Sequence, residues 1–140
     1  MDGSARDPET GPVVVALGGN TLLGKQGPWT VDEQISAIGG TARRIGEAVE
    51  DGYEIVLTHG NGPQVGNLLI QQERAADTPQ LPLDVLVAET QAQIGYLLQQ
   101  ALDNELTGST DFITVVTQTV VDADDPAFAH PTKPIGPFYT

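Results

Sequence analysis

The sequence contains no cysteine, only two lysines and few aromatic residues. Without cysteine, its 140 residues cannot form a disulfide framework, a thiolate nucleophile or a zinc–thiolate site. We therefore expect a cytoplasmic protein. No run approaches the roughly 20 consecutive apolar residues that cross a bilayer, so no membrane span is predicted. The first 12 residues, MDGSARDPETGP, are polar and acidic, which predicts a flexible tail and not a signal peptide.

Positive charge is scarce: six basic residues stand against 19 acidic ones, which gives a net charge of −13. This balance argues against binding to nucleic acid or to an anionic membrane. The acidic residues are scattered along the chain, so they predict a solvated acidic surface. We interpret this surface as adaptation to high salt, where screening weakens self-repulsion. An ordinary acidic cytosolic protein is the alternative.

Short β-branched runs predict three strands, at Val13–Leu17, Glu54–Thr58 and Phe112–Thr117. The first lacks polar alternation, so we expect it to be buried on both faces, as in a parallel sheet. Three helices are predicted between the strands. The order β-α-β-α-α-β predicts an α/β fold with a parallel sheet covered by helices on both faces.

Local signals define the ends of these helices. Thr30 and Glu33 have capping-box spacing, and Gly52 is suited to a left-handed cap after the first helix. The buried face of that helix is predicted to contain Ile35, Ile38, Ala42, Ile45 and Val49. Pro63 suits the first position of the second helix. The third helix is predicted from about Val85 to Leu106, with a stripe formed by Ile94, Leu97, Leu98, Ala101 and Leu102.

Two glycine-rich loops directly follow the first two strands: Gly18-Gly19-Asn20 and His59-Gly60-Asn61-Gly62. Parallel strands end at a common edge of the sheet, so both loops should open on one side. Glycine lets the backbone approach a ligand closely, and the helix after the second loop adds its positive dipole end. The pair predicts an anion site, most suitably for a phosphoryl group. Simple strand-to-helix turns are the alternative.

Known nucleotide motifs do not account for these loops. No G-x-x-x-x-G-K-[ST] sequence occurs, and Gly60–Gly66 misses the dinucleotide-binding spacing by one residue.

Lys133, between Pro131 and Pro134, could supply the positive charge that phosphoryl transfer needs; an ordinary solvated lysine is the alternative. His59 could be a general base or a hydrogen-bonded turn residue. A metal site or a turn could explain Asp122, Asp124 and Asp125. We favour the turn, because the spacing of these residues is not that of a calcium-binding loop.

Five segments closely resemble carbamate kinases, which are members of the amino acid kinase family. They are ALGGN (16–20), THGNGPQVG (58–66), PLDV (82–85), QIGYLLQQAL (93–102) and DPAFAHPTKPIGPFY (125–139). The resemblance implies a three-layer αβα sandwich with a mainly parallel sheet. It implies reversible phosphoryl transfer between ATP and carbamate, giving carbamoyl phosphate and ADP, with Mg²⁺. In fermentative arginine breakdown such enzymes run towards ATP. A homodimer is implied for the full-length form.

Carried onto matching positions, the resemblance makes Gly18, Gly19 and Asn20 and Gly60, Asn61 and Gly62 ligands of carbamate and the transferred phosphoryl group. Lys133 takes the place of a lysine in a subdomain that protrudes over the site. Many relatives in the wider family have a lysine where this chain has Ala16, whereas carbamate kinases do not. Thr21, Glu89 and Ala92 also depart from the expected pattern, at positions that affect packing or an interface.

Carbamate kinases are roughly twice as long as this chain, and their C-terminal half binds the nucleotide. We therefore expect an N-terminal lobe over residues 13–121, an incomplete protruding subdomain over 122–140, and no ATP lobe. The 140-residue chain is expected to be inactive alone. Two alternatives stay open: an amino acid kinase with another acceptor, and a non-catalytic anion-binding or dimerising remnant.

Overall fold

The computed structural model describes residues 11–18, 22, 30–75, 77–106, 108 and 110–134. The chain forms two compact units, Met1–Gly60 with Leu97–Ile113, and Asn61–Tyr96 with Thr114–Thr140. The elements in chain order are β1 (Val13–Leu17), α1 (Val31–Glu50), β2 (Ile55–His59), α2 (Gly62–Arg74), α3 (Leu83–Glu105) and a 3₁₀ turn (Pro126–Phe128). Within the described ranges, no helix combines the length and apolar character that a membrane span requires.

Strands β1 and β2 of the first unit pair in parallel, as predicted. The register sets Val13 opposite Ile55 and Leu17 opposite His59. Strand β2 begins one residue later than predicted and includes His59. The parallel arrangement requires a crossover between the strands, and α1 lies in that connection.

The prediction that β1 is buried on both faces is wrong. Leu17 is buried, but Val14 is 65% exposed and Val56 of the neighbouring strand is 46% exposed. A parallel strand becomes fully buried only when other strands and helices cover it. In the described part of the chain, the sheet has two strands only.

Helix α1 is fixed at both ends by local sequence, as predicted. The Thr30 hydroxyl accepts from Glu33 N–H at 3.3 Å, and the Glu33 carboxylate accepts from Thr30 N–H at 2.9 Å. At the other end Gly52 has φ +88°, the left-handed conformation that glycine adopts readily. Tyr53 N–H donates to Ala48 and Gly52 N–H to Val49, which completes a Schellman motif.

One position of the predicted α1 stripe is wrong. Ile38, Ala42 and Ile45 are buried and Val49 is half-buried, whereas Ile35 is 47% exposed. Gln34 is buried in its place. The reason is helical periodicity: Gln34 lies four residues before Ile38 and eight before Ala42, so it continues the buried row.

Helices α2 and α3 match the predicted pattern with small shifts at their ends. The break between them is held by Gln72, whose amide donates to Leu81 O at 2.9 Å and accepts from Leu81 N–H at 2.7 Å. The buried apolar side chains of α3 are Leu86, Ile94, Leu98 and Leu102. Leu97 and Ala101, which also belong to the predicted stripe, are half-buried.

The predicted third strand, Phe112–Thr117, is not a strand in the structure. Side chains of α3 bind its backbone instead. Gln99 donates to Phe112 O at 2.9 Å in the first unit. In the second unit, Gln91 accepts from Thr117 N–H at 2.8 Å and donates to Thr117 O at 3.3 Å. The composition favours β structure, but a strand requires a partner strand, and none of the described segments pairs with it.

Candidate phosphoryl-binding loops

The ends of β1 and β2 place two predicted site residues at one edge of the sheet. Leu17 and His59 are register partners, so Gly18 and Gly60 follow at the carboxyl end of the parallel pair. A Cβ added at Gly60 would meet no atom of the described residues within 4 Å, which is compatible with close approach of a ligand. Gly19 and Asn20 lie outside the described residues. The first unit therefore brings Gly18 and Gly60 together as predicted.

In the second unit, Asn61 is the N-cap of α2 and Gly62 is its first residue. The first turn of a helix has N–H groups without an intrahelical acceptor, and it bears partial positive charge. Pro63 lacks an N–H, so Gly62 and Gln64 are the donors of this turn. No acidic residue lies in the turn, so no local carboxylate competes for these donors. This geometry suits an oxyanion such as phosphate.

The Asn61 side chain is directed to α3 and not to its own helix. Its amide Nδ2 donates to Val87 O at 3.0 Å and to the Thr90 hydroxyl at 2.9 Å. Both amide hydrogens are therefore used within the protein. The groups of this loop that can donate to a ligand are therefore its backbone N–H groups, and the role of Asn61 as a ligand stays a prediction.

Gln64 is a residue that sequence reasoning missed. It is only 5% exposed, and neither its Oε1 nor its Nε2 has a hydrogen-bond partner among the described residues. A buried amide without partners costs about 1–3 kcal/mol, so it calls for an explanation. The one signal in the sequence is a long polar side chain one residue after Pro63, beside the buried Val65.

His59 ends β2 and is half-buried. Its Nδ1 is buried and has no hydrogen-bond partner in the part of the chain that the structure describes. This observation concerns Nδ1 alone, so the hydrogen-bonded turn residue stays open as the alternative. The general-base hypothesis stays a prediction.

Lys133 is exposed in the segment after the 3₁₀ turn. Among the described residues, the structure shows no ion pair for it. Nor does it show a hydrogen bond from Lys133 to Asn61 or Gly62 of the same unit. The role of Lys133 as the source of positive charge is therefore a proposal.

The aspartates after Val121 form turns, as favoured from sequence. Asp125 accepts from Ala127 N–H at 2.8 Å and caps the 3₁₀ turn, and Asp122 accepts from Asp124 N–H at 3.0 Å. Within the described ranges, no group of three or more histidine, aspartate or glutamate side chains could hold a metal ion.

The chain matches the family model of the amino acid kinase family over residues 11–125. It is 58% identical to the carbamate kinase of Halobacterium salinarum over 126 residues, which cover 90% of this chain and 40% of that protein. It is 48% identical to the carbamate kinase of Pyrococcus furiosus over 133 residues, 91% of this chain and 42% of that one. The chain thus spans about two fifths of the length of these relatives.

Solved structures give the same relationship. A structure of Giardia carbamate kinase superposes with a TM-score of 0.83 at 43% identity, covering 92% of this chain and 45% of that one. Giardia lamblia carbamate kinase bound to AMP-PNP gives a TM-score of 0.77 at 43% identity, covering 91% and 42%. The resemblance noted in the sequence motifs is confirmed, and so is the α/β fold with a parallel sheet. The chain belongs to the amino acid kinase family and resembles the N-terminal part of its carbamate kinases.

Proposed function

We propose that this chain is the acceptor-binding part of a carbamate kinase. The enzyme transfers a phosphoryl group reversibly between ATP and carbamate, giving ADP and carbamoyl phosphate. The observation that carries the proposal is the common edge at which Gly18 and Gly60 follow paired strands. The open N-terminal turn of α2 supports it independently. The 58% identity to a carbamate kinase supports this acceptor over others in the family.

The chemistry follows from positioning and electrostatics. A carbamate oxygen attacks the γ-phosphorus of ATP, the bond from that phosphorus to the bridging oxygen breaks, and ADP leaves with the electron pair. Charge on the transferred oxygens is met by backbone N–H groups of residues 18–20 and 60–62. Lys133 supplies the side-chain cation. No covalent intermediate with the protein is needed.

ATP and ADP are the nucleotide substrates of the proposed reaction. We propose that most of their binding site lies in the part of the carbamate kinases that these 140 residues do not cover. Mg²⁺ is expected to accompany the nucleotide. The described residues provide no cluster of metal-binding side chains, so we assign no step to the ion. In the cell, we propose a cytoplasmic enzyme of arginine breakdown that works towards ATP. The full-length form is proposed to be a homodimer.

A non-catalytic remnant is the second candidate, and one observation favours it. The segment after α3 exposes apolar side chains: Ile113 is 86% exposed and Val120 is 95% exposed. Such a surface suits pairing with another chain. On this reading the glycine loops bind an anion, and no transfer follows.

The decisive experiment measures ATP formation from carbamoyl phosphate and ADP in high-salt buffer. The 140-residue chain is assayed alone and as a chimera that replaces the matching segment of the Halobacterium salinarum carbamate kinase. We expect the chain alone to be silent and the chimera to be active. Lys133→Ala in the chimera should lower kcat by about 100-fold or more, as for other lost charge stabilisers. Arg74→Ala, which removes an exposed positive charge at the far end of α2, is the control and should leave kcat unchanged.

A folded chimera without activity would overturn the proposal and favour the remnant. ATP formation by the isolated chain would instead show that these residues are more than an acceptor part. Equal losses in the Lys133 and Arg74 variants would remove Lys133 from the mechanism.

A further inference from the structure

Thr90 links the second glycine loop to the interior of helix α3. It is fully buried, and its hydroxyl lies 2.9 Å from both the Asn61 amide nitrogen and Leu86 O. Val87 O lies 3.0 Å from the same hydroxyl and 3.0 Å from the same amide nitrogen. Asn61 and Thr90 are 29 residues apart in the chain, so only the tertiary fold brings them together.

Every hydrogen in this cluster has an acceptor. The Asn61 amide has two hydrogens, which point to Val87 O and to the Thr90 oxygen. The Thr90 hydroxyl has one hydrogen, which it donates to the Leu86 carbonyl, the usual back-bond of a helical threonine. Without this hydroxyl, one amide hydrogen of Asn61 would lose its acceptor. The Asn61 side chain would then gain by leaving α3.

The alternative place for that side chain is the N-terminus of its own helix. Asparagine is among the preferred N-cap residues because its side-chain oxygen accepts from the second or third N–H of the helix. Asn61 occupies the N-cap of α2, yet its side chain makes no capping hydrogen bond. The anchor on α3 thus keeps the Asn61 side chain from accepting from the N–H groups of Gly62 and Gln64.

We propose that Thr90 is a positioning residue for the phosphoryl-binding loop. Its hydroxyl holds the Asn61 side chain on α3, which leaves the first-turn N–H groups of α2 open to the phosphoryl oxygens of carbamoyl phosphate. The inference rests on the proposed function for the identity of the ligand. The position of the Asn61 side chain is independent of that function and can be measured without a ligand.

The test compares Thr90→Val, which removes the hydroxyl at nearly constant shape, with Thr90→Ser, which retains it. The matched control is Thr41→Val, because Thr41 makes the same back-bond to Ala37 O, at 3.4 Å, within α1. NMR spectroscopy follows the Asn61 side-chain amide protons and their exchange with solvent. Titration with carbamoyl phosphate, and separately with inorganic phosphate, gives Kd for each variant.

We expect the Asn61 amide protons of the wild-type chain to exchange slowly. Thr90→Val should speed this exchange at least tenfold and raise Kd by about tenfold, whereas Thr90→Ser and Thr41→Val should change neither. Should Thr90→Val fail to fold, Asn61→Ser provides the same test from the other side. Serine is too short to reach α3 and is a good N-cap, so it should weaken phosphate binding while α2 stays folded.

Unchanged amide exchange in Thr90→Val would overturn the anchor. Faster exchange with an unchanged Kd would overturn its role in binding. A wild-type chain with slow amide exchange that binds neither ligand would overturn the proposed function and leave the anchor itself standing. These failures are therefore distinguishable.

Discussion

Replacing Gly95 by alanine is predicted to destabilise the chain, although alanine is the better helix former. Gly95 is buried in the middle of α3. A Cβ at this position would overlap the Cγ2 atom of Thr114, with the Thr114 Oγ1 2.8 Å away and its Cβ 3.1 Å away. Thr114 would have to move, because two of these three separations are shorter than real Cβ contacts allow. Gly95 is thus required by the close approach of the segment that follows α3.

Two opposing terms set the magnitude. Alanine in place of glycine inside a helix gains about 0.8–1 kcal/mol. Overpacking a close contact costs about 1–3 kcal/mol. The difference between these ranges is a net loss of up to about 2 kcal/mol, which corresponds to a fall in Tm of up to roughly 10 °C for a chain of this size.

The control is the same substitution where space is open. Gly39 lies inside α1, and an added Cβ would meet nothing within 4 Å. Gly39→Ala should therefore stabilise by about 0.5–1 kcal/mol. Urea unfolding followed by circular dichroism measures the stability of both variants. The dependence of the unfolding free energy on urea concentration should stay constant, while the midpoint falls in Gly95→Ala and rises in Gly39→Ala. Adding Thr114→Ala to Gly95→Ala should restore most of the loss. A midpoint that rises in Gly95→Ala as it does in Gly39→Ala would refute the close packing of this segment on α3.

The sequence was informative where structure is set locally. The capping box of Thr30 and Glu33 and the left-handed Gly52 involve residues no more than five apart in the chain, and both are present. The parallel pairing of β1 and β2 followed from strand–helix order, which restricts the topology strongly. These features depend on propensity and chain connectivity, which a single sequence contains.

Predictions that depended on tertiary partners fared worse. The run Phe112–Thr117 has strand composition, but hydrogen bonds from Gln91 and Gln99 of α3 engage its backbone instead. The glycine loops could be proposed as a site because two of them follow parallel strands, whose carboxyl ends lie at a common edge of the sheet. The contact between Thr90 and Asn61 could not be predicted from sequence, since the two residues are 29 positions apart in the chain. A threonine within the apolar row of Leu86 and Ile94 was the available signal.

Two further predictions concern Gln64 and the acidic surface. Gln64→Leu removes a buried amide that has no hydrogen-bond partner among the described residues, so it should be neutral or stabilising by up to about 2 kcal/mol. Gln72→Leu breaks two hydrogen bonds to Leu81 and should destabilise by about 1–3 kcal/mol. Urea midpoints decide this, and equal losses in both variants would contradict the unsatisfied state of Gln64. Because the net charge is −13, we also expect thermal stability to rise between 0.05 and about 1 M KCl, as the screening length falls from more than 10 Å to roughly 3 Å. A Tm that is flat over this range would contradict the high-salt interpretation.

The acidic surface repels an anionic ligand, whereas the phosphoryl-binding loops attract it. The two effects act over different distances. A net charge of −13 repels an anionic ligand over the screening length, which is about 8 Å at physiological ionic strength. Backbone N–H groups act at hydrogen-bond distance, about 2.9 Å, where salt hardly screens them. Salt therefore removes the repulsion and leaves the short-range attraction intact. In a chain with only two lysines, uncapped N–H donors add attraction that side chains supply sparsely, and the Thr90–Asn61 anchor keeps the Asn61 side chain off the donors of α2.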